Sequence, residues 1–199
     1  MQNVDFKFDY DSYGWANINI DVDGKHYEFM PSFLGENPLN ALITALWQLK
    51  VKSENDFKDE NGETRHCECF ERRLIWQAEP NGHTLKLTKQ GNDLRIIINS
   101  FSDTDEYDGC NVLENIELIL DVATDFGDFS RKVCREAICA VQKYGFWGYL
   151  RSWDSALNNA DDFPISKIMF LMGAESHYGD NDLTHSDFNK EIKMLMSKE

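Results

Sequence analysis

The stretch GWANINIDVDGKHYEFM, residues 14–30, decides the fold class. Ala16, Ile18, Ile20 and Val22 alternate with Trp15, Asn17, Asn19 and Asp21, which is the period of a strand with one face in a core and the other toward water. Asp23-Gly24 follows at once, and this dipeptide between alternating segments is the strongest short-range signal for a two-residue hairpin. The return strand then runs from Lys25 to Met30, and Val4 to Tyr10 is placed beside the first strand at the sheet edge. An antiparallel sheet therefore opens the chain.

Beyond the hairpin, Asn37-Pro38 supplies an N-cap and a proline at the first helical position, and Leu39, Leu42, Ile43, Leu46 and Leu49 recur at helical spacing. This helix is expected to pack on the first hairpin. Residues 52–65 read as an exposed polar loop containing Asn61-Gly62. Three strands are expected over 67–78, 84–88 and 93–101, separated by Pro80-Asn81-Gly82 and Gln90-Gly91-Asn92, with Arg95 to Ile98 at the sheet centre. Ile116, Leu118, Leu120 and Val122 alternate again and add a strand. From Asp128 the period turns helical, with Val133, Ala137, Ile138, Val141 and Tyr144 on one face and Gly145 as a stop. Pro164 and Ser186 open two further helices. The expected fold is a single α+β domain over residues 1–199: a mostly antiparallel sheet of about six or seven strands, one helix inserted after the first hairpin, and a helical C-terminal third.

The chain has 199 residues, 35 Asp and Glu against 20 Lys and Arg, and a net charge of -15. Phosphate neutralisation needs clustered cations, so no nucleic-acid partner is expected, and an anionic membrane surface is disfavoured for the same reason. With 42% hydrophobic residues the chain has ample core-forming material, which separates it from disordered acidic segments. The N-terminus carries no basic region followed by an apolar run, and no stretch approaches the length of a membrane span, so a cytoplasmic protein is expected. Five cysteines, an odd number, are read as reduced thiols.

Signatures of catalysis are missing: there is no nucleophile elbow, zinc-protease helix, phosphate loop or dinucleotide fingerprint. The sequence points away from an enzyme, and no metal or cofactor is expected. The nearest approach to a metal site is His66-Cys67-Glu68-Cys69, where Cys67 and Cys69 share a strand face and Cys110 offers another thiolate; it is half of one zinc knuckle. Cys134 and Cys139 lie on different sides of a helix and read as packing residues. Asp103 to Gly109 imitates a calcium loop, with Glu114 in the twelfth place, but Tyr107 holds the fifth position and the glycine arrives one residue late. Glu175, His177, Asp180, Asp182 and His185 form a loop able to hold a metal or an acid/base pair. A small enzyme, metal-dependent or not, built on His66, Cys67 and Cys69 or on that loop is thus the first alternative function.

The position of the acid is the most informative feature. No Lys or Arg falls between Arg95 and Arg131, while Asp103, Asp105, Glu106, Asp108, Glu114, Glu117, Asp121, Asp125 and Asp128 all do. Such a run is either a solvated face or a docking surface for a basic protein, whose association it would speed and orient. On the second reading Asp103, Asp105, Glu106, Asp108, Asp125 and Asp128 are the carboxylates that meet partner Arg and Lys side chains. Tyr144, Phe146, Tyr149 and Trp153 follow core spacing, whereas Trp147 falls off that face and is the aromatic anchor candidate. Oligomerisation of a structural or regulatory subunit through this aromatic region is the second alternative.

Gly14-Trp15-Ala16, Phe29-Met30-Pro31-Ser32-Phe33-Leu34-Gly35 leading into Pro38-Leu39-Asn40-Ala41-Leu42, and Glu79-Pro80-Asn81-Gly82-His83 occur in that order. This string resembles small bacterial proteins of the kind that includes immunity proteins of polymorphic or contact-dependent toxin systems. The likeness covers roughly the first hundred residues, through turn and packing positions, and carries no catalytic residue. It implies a bacterial cytosolic binding protein, and together with the acidic run the expectation is a non-catalytic, immunity-like protein that neutralises a basic toxin domain by covering its active site.

Overall fold

A computed structural model describes residues 1–12, 14–32, 36–54, 57–58, 64–65, 69–78, 81–102, 116–152 and 164–173, with residues 193 and 196. The opening stretch folds as read. Strands β1 (Val4–Ser12), β2 (Trp15–Val22) and β3 (Lys25–Phe29) form an antiparallel sheet in that order. Asp23 and Gly24 both take positive φ, +49° and +86°, the geometry of the hairpin turn whose twist matches its strands. Val4, Phe6, Phe8 and Tyr10 of β1 and Ala16, Ile18, Ile20 and Val22 of β2 are buried. Their odd-numbered neighbours, among them Asp5, Lys7, Asp9, Asn19 and Asp21, are half-buried or exposed.

Helix α1 (Pro38–Glu54) begins where the sequence places it, with the Asn37 Oδ1 accepting the backbone N–H groups of Leu39 at 3.1 Å and Asn40 at 3.3 Å. Residues 37–43 are all buried, as expected of a helix enclosed by its neighbours and not laid on a surface. The segment read as a plain loop contains a short ribbon, β4 (Phe57–Lys58) paired antiparallel with β5 (Thr64–Arg65).

The remaining strands form a second antiparallel sheet, β6 (Cys69–Gln77), β7 (Gly82–Gln90), β8 (Asp93–Phe101) and β9 (Glu117–Asp125), neighbours in chain order. The α+β class and antiparallel pairing hold, but the strands divide between sheets of three and four where one sheet of six or seven was expected. Alternation fixes the buried face of each strand but not its neighbour, and α1, which joins the two sets of strands in sequence, packs against β6. Hydrogen bonds still tie the sheets at two corners: Ser32 N–H donates to Gln77 O at 2.7 Å and Gln2 N–H to Ala123 O at 2.8 Å. Buried side chains of both sheets and all three helices join one hydrophobic cluster.

Helix α2 (Phe126–Ser152) is broken at Gly145, whose φ of +71° only glycine adopts cheaply, and α3 (Ile165–Leu171) follows the proline as expected. Of the expected helical C-terminal third, residues 153–163 and most of 174–199 lie outside the described residues. Before Gly145, α2 lies along the free edge of β1. Lys132 Nζ donates to Val4 O at 2.6 Å, a Glu136 carboxylate oxygen accepts Phe8 N–H at 3.1 Å, and the Tyr144 hydroxyl donates at 2.6 Å to Asp9 Oδ1, which also accepts Tyr10 N–H at 3.0 Å. Twelve helical residues rise about 18 Å and six strand residues about 20 Å, so the two ladders stay in step. Side chains thus replace the missing neighbouring strand and blunt an edge that would otherwise template further pairing. No described helix is long and apolar enough to cross a membrane.

Candidate functional site

The surface nominated by the acidic run is described only from Ile116 onward. Asp103, Asp105, Glu106 and Asp108 lie outside the described residues, as do Glu114, His66, Cys67, Cys110 and the 175–185 loop. Strand β9 carries the rest. Ile98 pairs with Leu120 while Asn99 pairs with Leu118, so one extra residue, Ile119, is bulged into β9. Ahead of the bulge every side chain changes face, because strand side chains alternate with period two. Leu120 and Val122 stay in the core, and Ile116 and Leu118, expected beside them, stand 54% and 58% exposed next to the exposed Glu117.

Farther along β9, Asp121 accepts two hydrogen bonds from the Arg95 guanidinium, at 2.6 and 2.8 Å, and these bonds hold its carboxyl below the usual range. Asp125 Oδ1 accepts Asp128 N–H at 2.7 Å and so caps α2. Asp128 pairs with Arg131 one turn on. The same corner holds an open cleft of about 490 Å³ lined by Asp125, Phe126, Gly127, Arg131, Lys50 and Lys89 with the Gly91-Asn92 turn. Lys89 is buried there, its ammonium donating to Gly91 O at 2.6 Å and resting 5.1 Å from the Phe126 ring centroid. Asp125 therefore has a structural task, legible in retrospect as a carboxylate three residues before the first helical Asp. Trp147 belongs to the part of α2 after Gly145, and its side chain lies outside the described residues. Phe146, expected in the core, is 48% exposed, because the break at Gly145 resets the helix face; Tyr149 is fully buried and donates to Asn40 Oδ1 at 2.6 Å.

No group of three or more His, Cys, Asp or Glu with metal-binding proximity occurs among the described residues. Cys69 and Cys139 are exposed, and Cys134 is buried with its thiol pushed up to about 12 by burial.

The described parts of the turn and packing motifs of the first hundred residues meet at a second place. Ser32 bridges to Trp15, and Ala16 N–H donates to Pro31 O at 3.1 Å. The Phe29 ring sits 5.6 Å from Trp76 and 5.0 Å from His83, and Trp76 and His83 are direct partners across β6 and β7. Gly82 is opposite Phe101, whose ring lies where a Cβ would be. Three motifs distant in sequence thus build one junction between the two sheets. Sequence reasoning could place each on a turn or strand but had no signal that they converge. No protein-family model, curated protein or solved structure matches the chain.

Proposed function

We propose that the chain is a non-catalytic acidic binding protein of the immunity-like kind, acting in the cytoplasm to neutralise a basic toxin domain by covering its active site. The supporting observation is the outward pair Ile116 and Leu118 at the start of β9, beside Glu117 and directly after the acidic segment that begins at Asp103. Exposed apolar side chains next to an acidic stretch of sequence have the composition of a small interface, an apolar centre with a charged rim. Covering the exposed halves of two aliphatic side chains contributes roughly 1.5–3 kcal/mol. The rim adds association rate and selects against acidic partners.

The test begins with the product of an adjacent toxin-like reading frame and measures its affinity for the purified chain by calorimetry at two salt concentrations. Leu118→Asp, and Asp105→Lys combined with Asp108→Lys, are each expected to weaken binding about tenfold or more, equivalent to about 1.4 kcal/mol. Leu118→Asp should not move the urea midpoint, since Leu118 is exposed in the unbound chain. Unchanged affinity in both variants, or no binding to any basic neighbouring product, would overturn the reading.

A further inference from the structure

The junction of the two sheets holds polar atoms that packing alone does not explain. Ser32 Oγ, Trp76 Nε1 and His83 Nδ1 are buried and have no hydrogen-bonding partner among the described residues. Ser32 and Trp76 are each 1% exposed. Buried polar groups are nearly always satisfied, so three in one neighbourhood point to something that satisfies them. They share that neighbourhood through the backbone: Ser32 N–H is bonded to Gln77 O, the residue after Trp76, and His83 is paired with Trp76. Phe29 contacts both rings.

We propose that this junction is a binding site for a small uncharged molecule presenting a hydroxyl oxygen, either an internal water or the hydroxyl of a small metabolite. The chemistry follows from what each atom can do. The Trp76 indole N–H only donates, so the occupant must accept. A neutral His83 Nδ1 and the Ser32 hydroxyl each accept or donate, so an occupant that also donates satisfies the set, and a hydroxyl does both. Charge is disfavoured because only burial acts on His83, lowering its pKa, with no charged neighbour contributing. Metal binding is disfavoured by the indole, which has no lone pair to give.

The experiment uses the full chain labelled with nitrogen-15, with the Trp76 indole signal assigned through Trp76→Phe. Magnetisation transfer from the indole proton to a bound water or ligand hydroxyl is measured, and native mass spectrometry of the protein as purified looks for a noncovalent adduct. Transfer to water with no adduct supports the site and identifies water as its occupant; an adduct lost in His83→Phe supports it and identifies a metabolite. Ser32→Ala removes a hydroxyl able to relay the signal, so transfer must survive in Ser32→Ala and vanish in Ser32→Ala combined with His83→Phe. Absence of both transfer and adduct, or loss of transfer in Ser32→Ala alone with no adduct, would overturn the proposal.

Discussion

Replacing Glu136 by alanine tests whether α2 acts as the missing neighbour of β1. One Glu136 oxygen accepts Phe8 N–H at 3.1 Å and the other accepts from Lys7 Nζ at 3.1 Å. The two contacts differ in worth. The Lys7 side chain is 60% exposed, so its pair with Glu136 is screened and contributes no more than about 0.5 kcal/mol, although the hydrogen bond to Glu136 raises the Lys7 pKa. Phe8 is buried, and stranding its N–H costs about 1–3 kcal/mol. Glu136→Ala should therefore lose roughly 2 kcal/mol, which at a urea slope of about 2.5 kcal/mol per molar lowers the midpoint by about 0.8 M. Glu136→Gln keeps an acceptor for Phe8 and should lose about 0.5 kcal/mol, as should Lys7→Ala. Equal losses in the alanine and glutamine variants would show that charge, not edge capping, is at work, and losses below about 0.3 kcal/mol in both would refute the reasoning.

Three further outcomes are expected. In Gly82→Ala the new methyl would clash with the tip of the Phe101 ring, nearest Cζ and 2.8 and 2.9 Å from Cε1 and Cε2, so overpacking should cost about 1–3 kcal/mol and be largely relieved by adding Phe101→Leu, as read by a double-mutant cycle in urea. Burial lowers the His83 pKa from 6.5, so the unfolded chain binds that proton more readily; the stability contributed by neutral His83 is complete above pH 6.5 and lost as pH falls below it, and His83→Phe should flatten the fall in urea midpoint between about pH 7.5 and 5. Brief iodoacetamide treatment with peptide mapping should label Cys69 and Cys139 and spare Cys134 until the chain is unfolded.

Much of the fold was legible because local chemistry and global structure agree. Asp23-Gly24, Asn37-Pro38, Gln90-Gly91-Asn92 and the alternation of β2 each carry a mechanism that acts within a few residues. What stayed hidden is what depends on distant parts. Alternation names the buried face of a strand but not its neighbour, so two sheets read as one. The bulge at Ile119 leaves the apolar pattern of Ile116 to Val122 intact while turning half of it to solvent, and nothing in the residue types distinguishes this from a regular strand. Lys132 and Glu136 look like ordinary polar positions, and Tyr144 like a core residue, until β1 lies beside them. The candidate site was legible as a concentration of charge, and its apolar centre was not.

The distance along the chain between a strand and the helix that covers it sets a schedule. Tyr10 and the Tyr144 that closes its edge are separated by 134 residues. At about 5–20 residues per second of synthesis, roughly 7–27 s pass between the emergence of β1 and that of the end of its cover. Throughout that interval the nascent first sheet offers an open edge to other nascent chains. Ribosome pausing anywhere between the hairpin and α2 lengthens the exposure, so the yield of folded protein in the cell is tied to translation speed through that span.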